Sequence, residues 1–382
     1  MSAAALEVFR ARARRVGEQH AAEVDALDET AGARRALALV AEANLAKLCV
    51  PEQWGGAHLD GLASRKDVSC RALCAARYEL ARHSAMLDVM LVMQGLGSYA
   101  ISIAGSDTLR ASMLPRVARG ELIAAFALTE PGAGSDLGMV ATRAERVGER
   151  WKLSGAKTFI SNAGVADFYT VLARTSGAPG DGGKGSLTMF CVPANTPGVS
   201  AQRFEVTSPH PIGDVLFDGA QLDDGQRLGE VGSGLDTALA VLGRFRVSVA
   251  AAANGFARRA LEESIAHLKS RTQFGKPLAA NQGLGFDLAE MDMRLRAAEL
   301  LVDEAAAAVD RGERAVLEVA RAKLFATENA SYVCDRAVQH FGGLGVKRGV
   351  LVERLWRDVR ALRIYEGASE IQKLLMAREL TR

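Results

Sequence analysis

Trp151-Lys152-Leu153-Ser154-Gly155-Ala156-Lys157-Thr158-Phe159-Ile160 is a β-type run in the middle of a chain whose two ends read as helix, and this placement decides the fold. Working outward, Phe168 to Ala173, Leu187 to Val192 and Val215 to Phe217 are further short β-type runs separated by turn residues, so residues 121–230 form a small all-β domain. Between two of these runs, Thr175 to Gly185 is rich enough in glycine to predict a mobile loop. On the N-terminal side, residues 1–120 have helical periodicity. Leu37, Val40, Ala41, Asn44, Leu45 and Leu48 fall on one side of a helix that Pro51 and Gly55-Gly56 stop. On the C-terminal side, residues 231–382 carry long helical segments: Leu235 to Lys269, Leu284 to Arg311 and Arg314 to Gln339. The order helical, β, helical predicts an α+β fold of three domains, with no repeat and no long linker.

Composition narrows the function. The chain has 382 residues, 49% of them hydrophobic, with nine prolines, which suits a folded protein with a large core. The net charge of +2 arises from interspersed acids and bases, so nothing resembles a nucleic-acid tail. Arg10, Arg12, Arg14 and Arg15 read as one solvated face of the first helix. The five cysteines lack a Cys-x-x-Cys, which argues for a reducing cytoplasm, and Cys70 and Cys74 read as small core residues. The six histidines lack ligand spacing, so no metal site is expected. No apolar stretch is read as membrane-spanning, and the first residues lack a signal pattern.

Gly132-Ala133-Gly134-Ser135-Asp136-Leu137 carries leucine where a dinucleotide fingerprint needs its third glycine, which excludes a Rossmann reading. The longer stretch Ala127 to Asp136 still gathers glycines, hydroxyls and backbone N–H groups into a turn that a flat or anionic ligand can approach. Near the C-terminus, Arg363-Ile364-Tyr365-Glu366-Gly367-Ala368-Ser369-Glu370-Ile371-Gln372 sets one carboxylate between an aromatic ring and a glycine. In a desolvated pocket Glu366 is a strengthened base, suited to removing a weakly acidic C–H proton. The same segment also reads as a loop glutamate capping the next helix, with Ser369 or Glu370 near its start.

Thr129 to Asp136, Leu153 to Asn162, Arg271-Thr272-Gln273-Phe274-Gly275-Lys276-Pro277-Leu278 with Gln282, Gln339 to Gly345, and Arg357 to Ile371 together resemble the acyl-CoA dehydrogenases, in that family's order and spacing. Pro51 to Gly56 resembles its N-terminal signature, and the resemblance covers essentially the whole chain. It implies an N-terminal helical domain (1–120), a central β-barrel or sandwich domain (121–230) and a C-terminal four-helix bundle domain (231–382). It also implies FAD as cofactor, a saturated acyl-CoA substrate, a role in fatty acid metabolism and β-oxidation, an electron-transfer flavoprotein as acceptor, and a homotetramer built of two dimers.

By the same resemblance, Phe126, Leu128, Thr129, Gly134 and Ser135 lie along the flavin, with Ser135 also near the acyl-CoA. Phe159, Ile160 and Ser161 pack on the flavin face away from substrate. Arg271, Phe274 and Gln282 reach the FAD of a neighbouring subunit from the end of a long helix. Gln339, Gly342 and Gly343 add an adenosine-side contact, and Glu370 belongs to the same cofactor set. Arg246 is directed at CoA, and Gly367 contacts the substrate. The family places its catalytic carboxylate at one of two positions, matched here by Glu366 and Phe245, so Glu366 remains as the base. Val89, Val92, Met93 and Leu96 would line the floor of the acyl cavity.

Three departures from the family pattern stand out. Ala368 replaces the usual threonine, Thr207 to Asp214 lacks the usual basic-Met-Gly pattern, and Val346-Lys347-Arg348 follows Gly345 in place of an aromatic. A same-scaffold oxidase of a non-CoA substrate would usually carry aspartate at position 366. A DNA-associated flavoprotein would need a basic C-terminal domain, which this chain lacks.

Overall fold

The computed structural model of the chain describes residues 3–59, 62, 64 and 67–382. Among the described residues, the α-helices α1 (Ala3–Asp25), α2 (Glu29–Glu42), α3 (Cys70–His83), α4 (Ala85–Ala104) and α5 (Asp107–Ala118) come first. Eight strands follow: β1 (Ala124–Ala127), β2 (Arg143–Val147), β3 (Arg150–Ser161), β4 (Phe168–Arg174), β5 (Leu187–Pro193), β6 (Val199–Arg203), β7 (Ile212–Asp223) and β8 (Arg227–Leu228). The remainder is α6 (Gly234–Ser270), a hairpin of β9 (Thr272–Gln273) and β10 (Lys276–Pro277), α7 (Gln282–Asp310), α8 (Val316–Phe341), α9 (Leu351–Arg360) and α10 (Ser369–Leu380). This is the expected α+β order. Two compact units are distinguishable: one of Ala22–Ser69 with Val89–Phe245, the other of α1 up to Ala21, Cys70–Asp88 and Arg246–Arg382.

In the first unit the strands form one eight-stranded sheet in the order β6-β7-β3-β2-β4-β5-β8, with β1 pairing β4 in parallel. Every residue of β4 is buried, as expected of a central strand covered on both faces. In contrast, β3 and β7 alternate buried and exposed residues along most of their length. That alternation explains why only the apolar middle of β7, Val215 to Phe217, was legible as strand. β1, β2 and β6 were missed altogether. The Ala-rich β1 has little intrinsic strand preference and is a strand because β4 pairs with it.

Three local expectations need correction. α2 ends at Glu42, ahead of Pro51, because Asn44 takes a left-handed conformation (φ 58°) just past the helix end. Residues 175–185 are not a loose loop. The buried Arg174 guanidinium donates to the carbonyls of Val140 (2.8 Å) and Gly138 (2.7 Å) and to Asp181 (2.8 Å), which in turn accepts from Ser186 Oγ (2.7 Å) and the Gly183 N–H (2.8 Å). Among the basic residues of α1, Arg12 and Arg15 are solvated, but Arg14 pairs with buried Glu79 (3.0 Å) and Arg10 lies over the Tyr78 ring.

α4 is long and apolar enough, by length and composition, to cross a membrane, contrary to the sequence expectation; 89% of its apolar stretch is buried inside the protein, as in a core helix. Gly95 on α4 leaves a notch filled by the fully buried ring of Phe245, which also meets Tyr99 edge-on at 5.6 Å. A Cβ at Gly95 would overlap that ring. Gly95→Ala should therefore lower stability by about 1–3 kcal/mol, measured as a shifted denaturation midpoint, and Phe245→Leu should recover part of the loss.

The second unit is a helical core built largely of alanine, with Ala250 to Ala253, Ala257, Ala260, Ala298, Ala305, Ala322, Ala326 and Ala330 all buried. Small side chains allow the helix backbones to approach closely. Asp310, the last residue of α7, accepts the N–H groups of Cys70 (2.7 Å) and Arg71 (3.2 Å), so it satisfies the open start of α3 from 240 residues away. Cys70 and Cys74 are buried, as expected.

Candidate active site

After α9 the chain makes a single 3-10 turn (Ala361–Arg363), leaves helical geometry, and restarts as α10. Between them Glu366 has φ 50° and Gly367 φ 97°. A left-handed glutamate is uncommon and costs energy unless its surroundings enforce it. Here the enforcement is visible. Arg246 Nε donates to the Glu366 carbonyl (2.7 Å), while Lys323 Nζ (2.7 Å) and Gln372 Nε2 (2.9 Å) both donate to the Gly367 carbonyl. The φ of 97° favours glycine at Gly367, and a Cβ there would displace the Gln372 amide from its bond to the Gly367 carbonyl.

The Glu366 side chain does not cap α10. Ala368 occupies the cap position, Ser369 Oγ donates to Glu328 (2.5 Å), and Glu370 is exposed. Glu366 Oε2 is buried without a hydrogen-bond partner among the described residues. Burial raises the Glu366 pKa above the ordinary carboxylate range, opposed by the cations Arg77, Arg246 and Lys323. Arg77 is itself fully buried. It makes a bidentate bond to Asp88 (2.7 Å to each oxygen) and donates to Ser248 Oγ (2.8 Å), so its charge is locked in place. The arrangement is a carboxylate strengthened as a base and kept free of competing bonds.

In the other unit, Thr129 accepts the Thr158 N–H through its carbonyl (2.9 Å), which docks the glycine turn on β3. A buried ion pair fastens the junction: Lys157 Nζ donates to Glu130 (2.7 Å) and to the Leu128 carbonyl (2.9 Å), and Glu130 accepts the N–H groups of Ala141 (2.7 Å) and Thr142 (3.0 Å). Desolvation lowers the Lys157 pKa to about 8 even though Glu130 opposes it. Immediately after Lys157 the β3–β7 register slips. At that bulge Phe159 takes φ 55° and stands 62% exposed, its ring edge-on to Phe204 at 5.2 Å. Leu128 and Ile160 are buried, and Phe126 is partly buried. Ser161 Oγ lies 3.1 Å from His210 Nε2. Gly134 and Ser135 are exposed, and a Cβ at Gly132 or Gly134 would meet no atom within 4 Å.

The remaining candidates lie in the second unit. Arg271 and Phe274 do not end a helix. α6 stops at Ser270, and Phe274 (φ 50°) and Gly275 (φ 78°) form the two-residue turn of the β9–β10 hairpin, whose geometry demands two left-handed residues. Phe274 is 98% exposed there, and Arg271 and Gln282 are exposed nearby in the chain. Gln339, Gly342 and Gly343 are exposed at the end of α8, where Phe341 stacks on His267 of α6 at 4.1 Å.

Glu366, Gly367 and Arg246 are thus brought together, as are Thr129 and the strand bearing Phe159. Sequence reasoning missed Lys323, Gln372, the Arg77–Asp88 pair and the role of Glu130 with Lys157. Two signals were present. Lys323 interrupts the apolar positions Val319, Ala322, Ala326 and Ala330, and Asp88 is a charged residue inside the mostly apolar α4.

Comparison with known proteins agrees with this architecture. The family models for the acyl-CoA dehydrogenase N-terminal, middle and C-terminal domains match residues 3–121, 125–220 and 232–381. The chain is 34% identical to cyclohexane-1-carbonyl-CoA dehydrogenase of Geobacter metallireducens over 98% of its own length and 96% of that protein's. It is 36% identical to the 3-(aryl)acrylate reductase of Clostridium sporogenes, with 98% of each covered. The solved structure of butyryl-CoA dehydrogenase from Megasphaera elsdenii superimposes with a TM-score of 0.91 at 30% identity, covering 100% of this chain and 99% of that one. The chain belongs to the acyl-CoA dehydrogenase family, whose members are FAD-dependent oxidoreductases. The residues present fit that cofactor: an exposed aromatic ring held at positive φ beside a glycine turn with open space above it suits a flat ligand.

Proposed function

We propose that this protein catalyses α,β-dehydrogenation of a saturated acyl-CoA thioester to the trans-2-enoyl-CoA, with Glu366 as the base. The observation that carries the reading is the Glu366 carboxylate, unpartnered at Oε2 and pushed up in pKa by burial on a backbone fixed by Arg246 and Lys323. Glu366 takes the α-proton in its ionised form. Among the described residues the Glu366 N–H donates to no group, so it is available to the thioester oxygen as negative charge develops there. Bound FAD would supply the acceptor for the β-hydrogen, taken as hydride.

Its binding set is Phe126, Leu128, Thr129, Gly134, Ser135, Phe159, Ile160 and Ser161, with Glu370, and with Arg271, Phe274, Gln282, Gln339, Gly342 and Gly343 supplied across a subunit contact of a homotetramer. Ser135, Arg246 and Gly367 hold the substrate, although Arg246 also serves the Glu366 backbone. An electron-transfer flavoprotein is the acceptor, in the cytoplasm. The relatives named for cyclohexane-1-carbonyl-CoA and butyryl-CoA favour a compact acyl group.

Anaerobic titration with straight, branched and cyclic acyl-CoAs, followed by the visible flavin band, tests this. Bleaching by one chain type is expected; an FAD-loaded protein that no acyl-CoA bleaches would sink the substrate assignment. Oxidation of the pre-reduced protein by an enoyl or arylacryloyl substrate alone would favour a reductase, as in the Clostridium relative.

A further inference from the structure

We propose that Lys323 is a positioning residue for the catalytic base, holding the left-handed Glu366–Gly367 backbone from within the α8 core. The inference rests on the reading of Glu366 as the base. Lys323 is fully buried on a helix face shared with Val319, Ala322, Ala326 and Thr327, where an ammonium is costly to desolvate. A charge so placed needs a partner that offsets this cost. Its Nζ donates across 44 residues to the Gly367 carbonyl at 2.7 Å, and the Gln372 amide donates to the same oxygen at 2.9 Å. A carbonyl accepting two donors, one of them charged, cannot rotate freely. The neighbouring Glu366 carbonyl is held in the same way by Arg246. The two successive peptide planes on either side of the Gly367 Cα are therefore pinned by side chains from α6, α8 and α10, and the first of them starts at the Glu366 Cα, which restricts the direction its side chain can take.

The charged groups acting on Lys323 are Glu366 and Arg246, with Glu328 on its own helix and Glu370 on α10. Burial lowers its pKa to about 8, with Glu366 opposing that fall. Deprotonation above that point would weaken the bond to Gly367 and loosen the base, so the pH profile of kcat gains an alkaline limb near 8 that belongs to Lys323. The same cation stabilises the Glu366 carboxylate, so its removal shifts the acidic limb to higher pH.

The test compares wild type, Lys323→Met, Lys323→Arg and Gln372→Leu, each loaded with FAD. Lys323→Met should lower kcat roughly a hundredfold, the scale of a misplaced catalytic group, with KM little changed. Lys323→Arg should restore most of the activity and remove the alkaline limb, because a guanidinium does not titrate there. Gln372→Leu should cause a smaller loss and keep the limb. Infrared difference spectra between each protein and its Glu366→Gln counterpart follow protonation of Glu366 without substrate, and should show its titration moved to higher pH in Lys323→Met. An unmoved Glu366 titration, or an alkaline limb surviving in Lys323→Arg, overturns the proposal, even if Lys323→Met fails to fold. If wild type oxidises no acyl-CoA, the infrared titration still decides the role of Lys323, while the substrate reading falls separately.

Discussion

Glu366→Gln should slow flavin reduction by a saturated acyl-CoA by roughly 10²–10⁴-fold while leaving FAD content and CoA binding intact. Gln matches the shape of Glu but cannot accept a proton. Oε2 has no hydrogen-bond partner among the described residues, so the exchange breaks no bond there. In wild type, kcat/KM should rise with pH through a Glu366 pKa above the ordinary carboxylate range, since the ionised form is the base. Stability runs the other way. A folded-state pKa raised above the unfolded value gives stability that is present below the unfolded pKa and lost as pH rises through the folded one. Melting temperatures of wild type should therefore fall across that window relative to Glu366→Gln, whose side chain stays neutral. A variant that still bleaches fully with acyl-CoA would remove Glu366 from the mechanism.

Lys157→Met should destabilise the fold by about 3–5 kcal/mol, because it leaves the Glu130 carboxylate buried with only backbone partners. The lost bond to the Leu128 carbonyl should also loosen the Thr129 turn, so purified Lys157→Met should carry less FAD than wild type. Adding Glu130→Gln removes the stranded charge and should recover much of the stability but not the cofactor. Denaturant midpoints and flavin-to-protein absorbance ratios for the single and double variants read both effects. Equal midpoints for wild type and Lys157→Met would show that the pair is not structural.

Much of the fold could be read along the chain because periodicity is local. The 3.6-residue spacing marked α6, α7 and α8 to within a few residues, and β4 and β5 were recognisable as unbroken apolar runs between turns. β1 and β2 were not, since an Ala-rich or charged stretch becomes a strand only when a neighbour offers its ladder. The Phe274–Gly275 hairpin was read as a helix end, since arginine and glycine suit both and only the left-handed pair distinguishes them.

The residue proposed as the base was likewise legible in a short motif, Tyr365-Glu366-Gly367, together with the resemblance that leaves Phe245 without a carboxylate. What raises the basicity of that glutamate was decided by tertiary structure. Its left-handed backbone is held by Arg246, Lys323 and Gln372, and the charges opposing its desolvation come from Arg77, Arg246 and Lys323, on three different helices. A side chain's type and spacing are set one residue at a time, whereas the cost of burying a charge and the partner that offsets it depend on which distant segments the packed core brings within hydrogen-bonding distance.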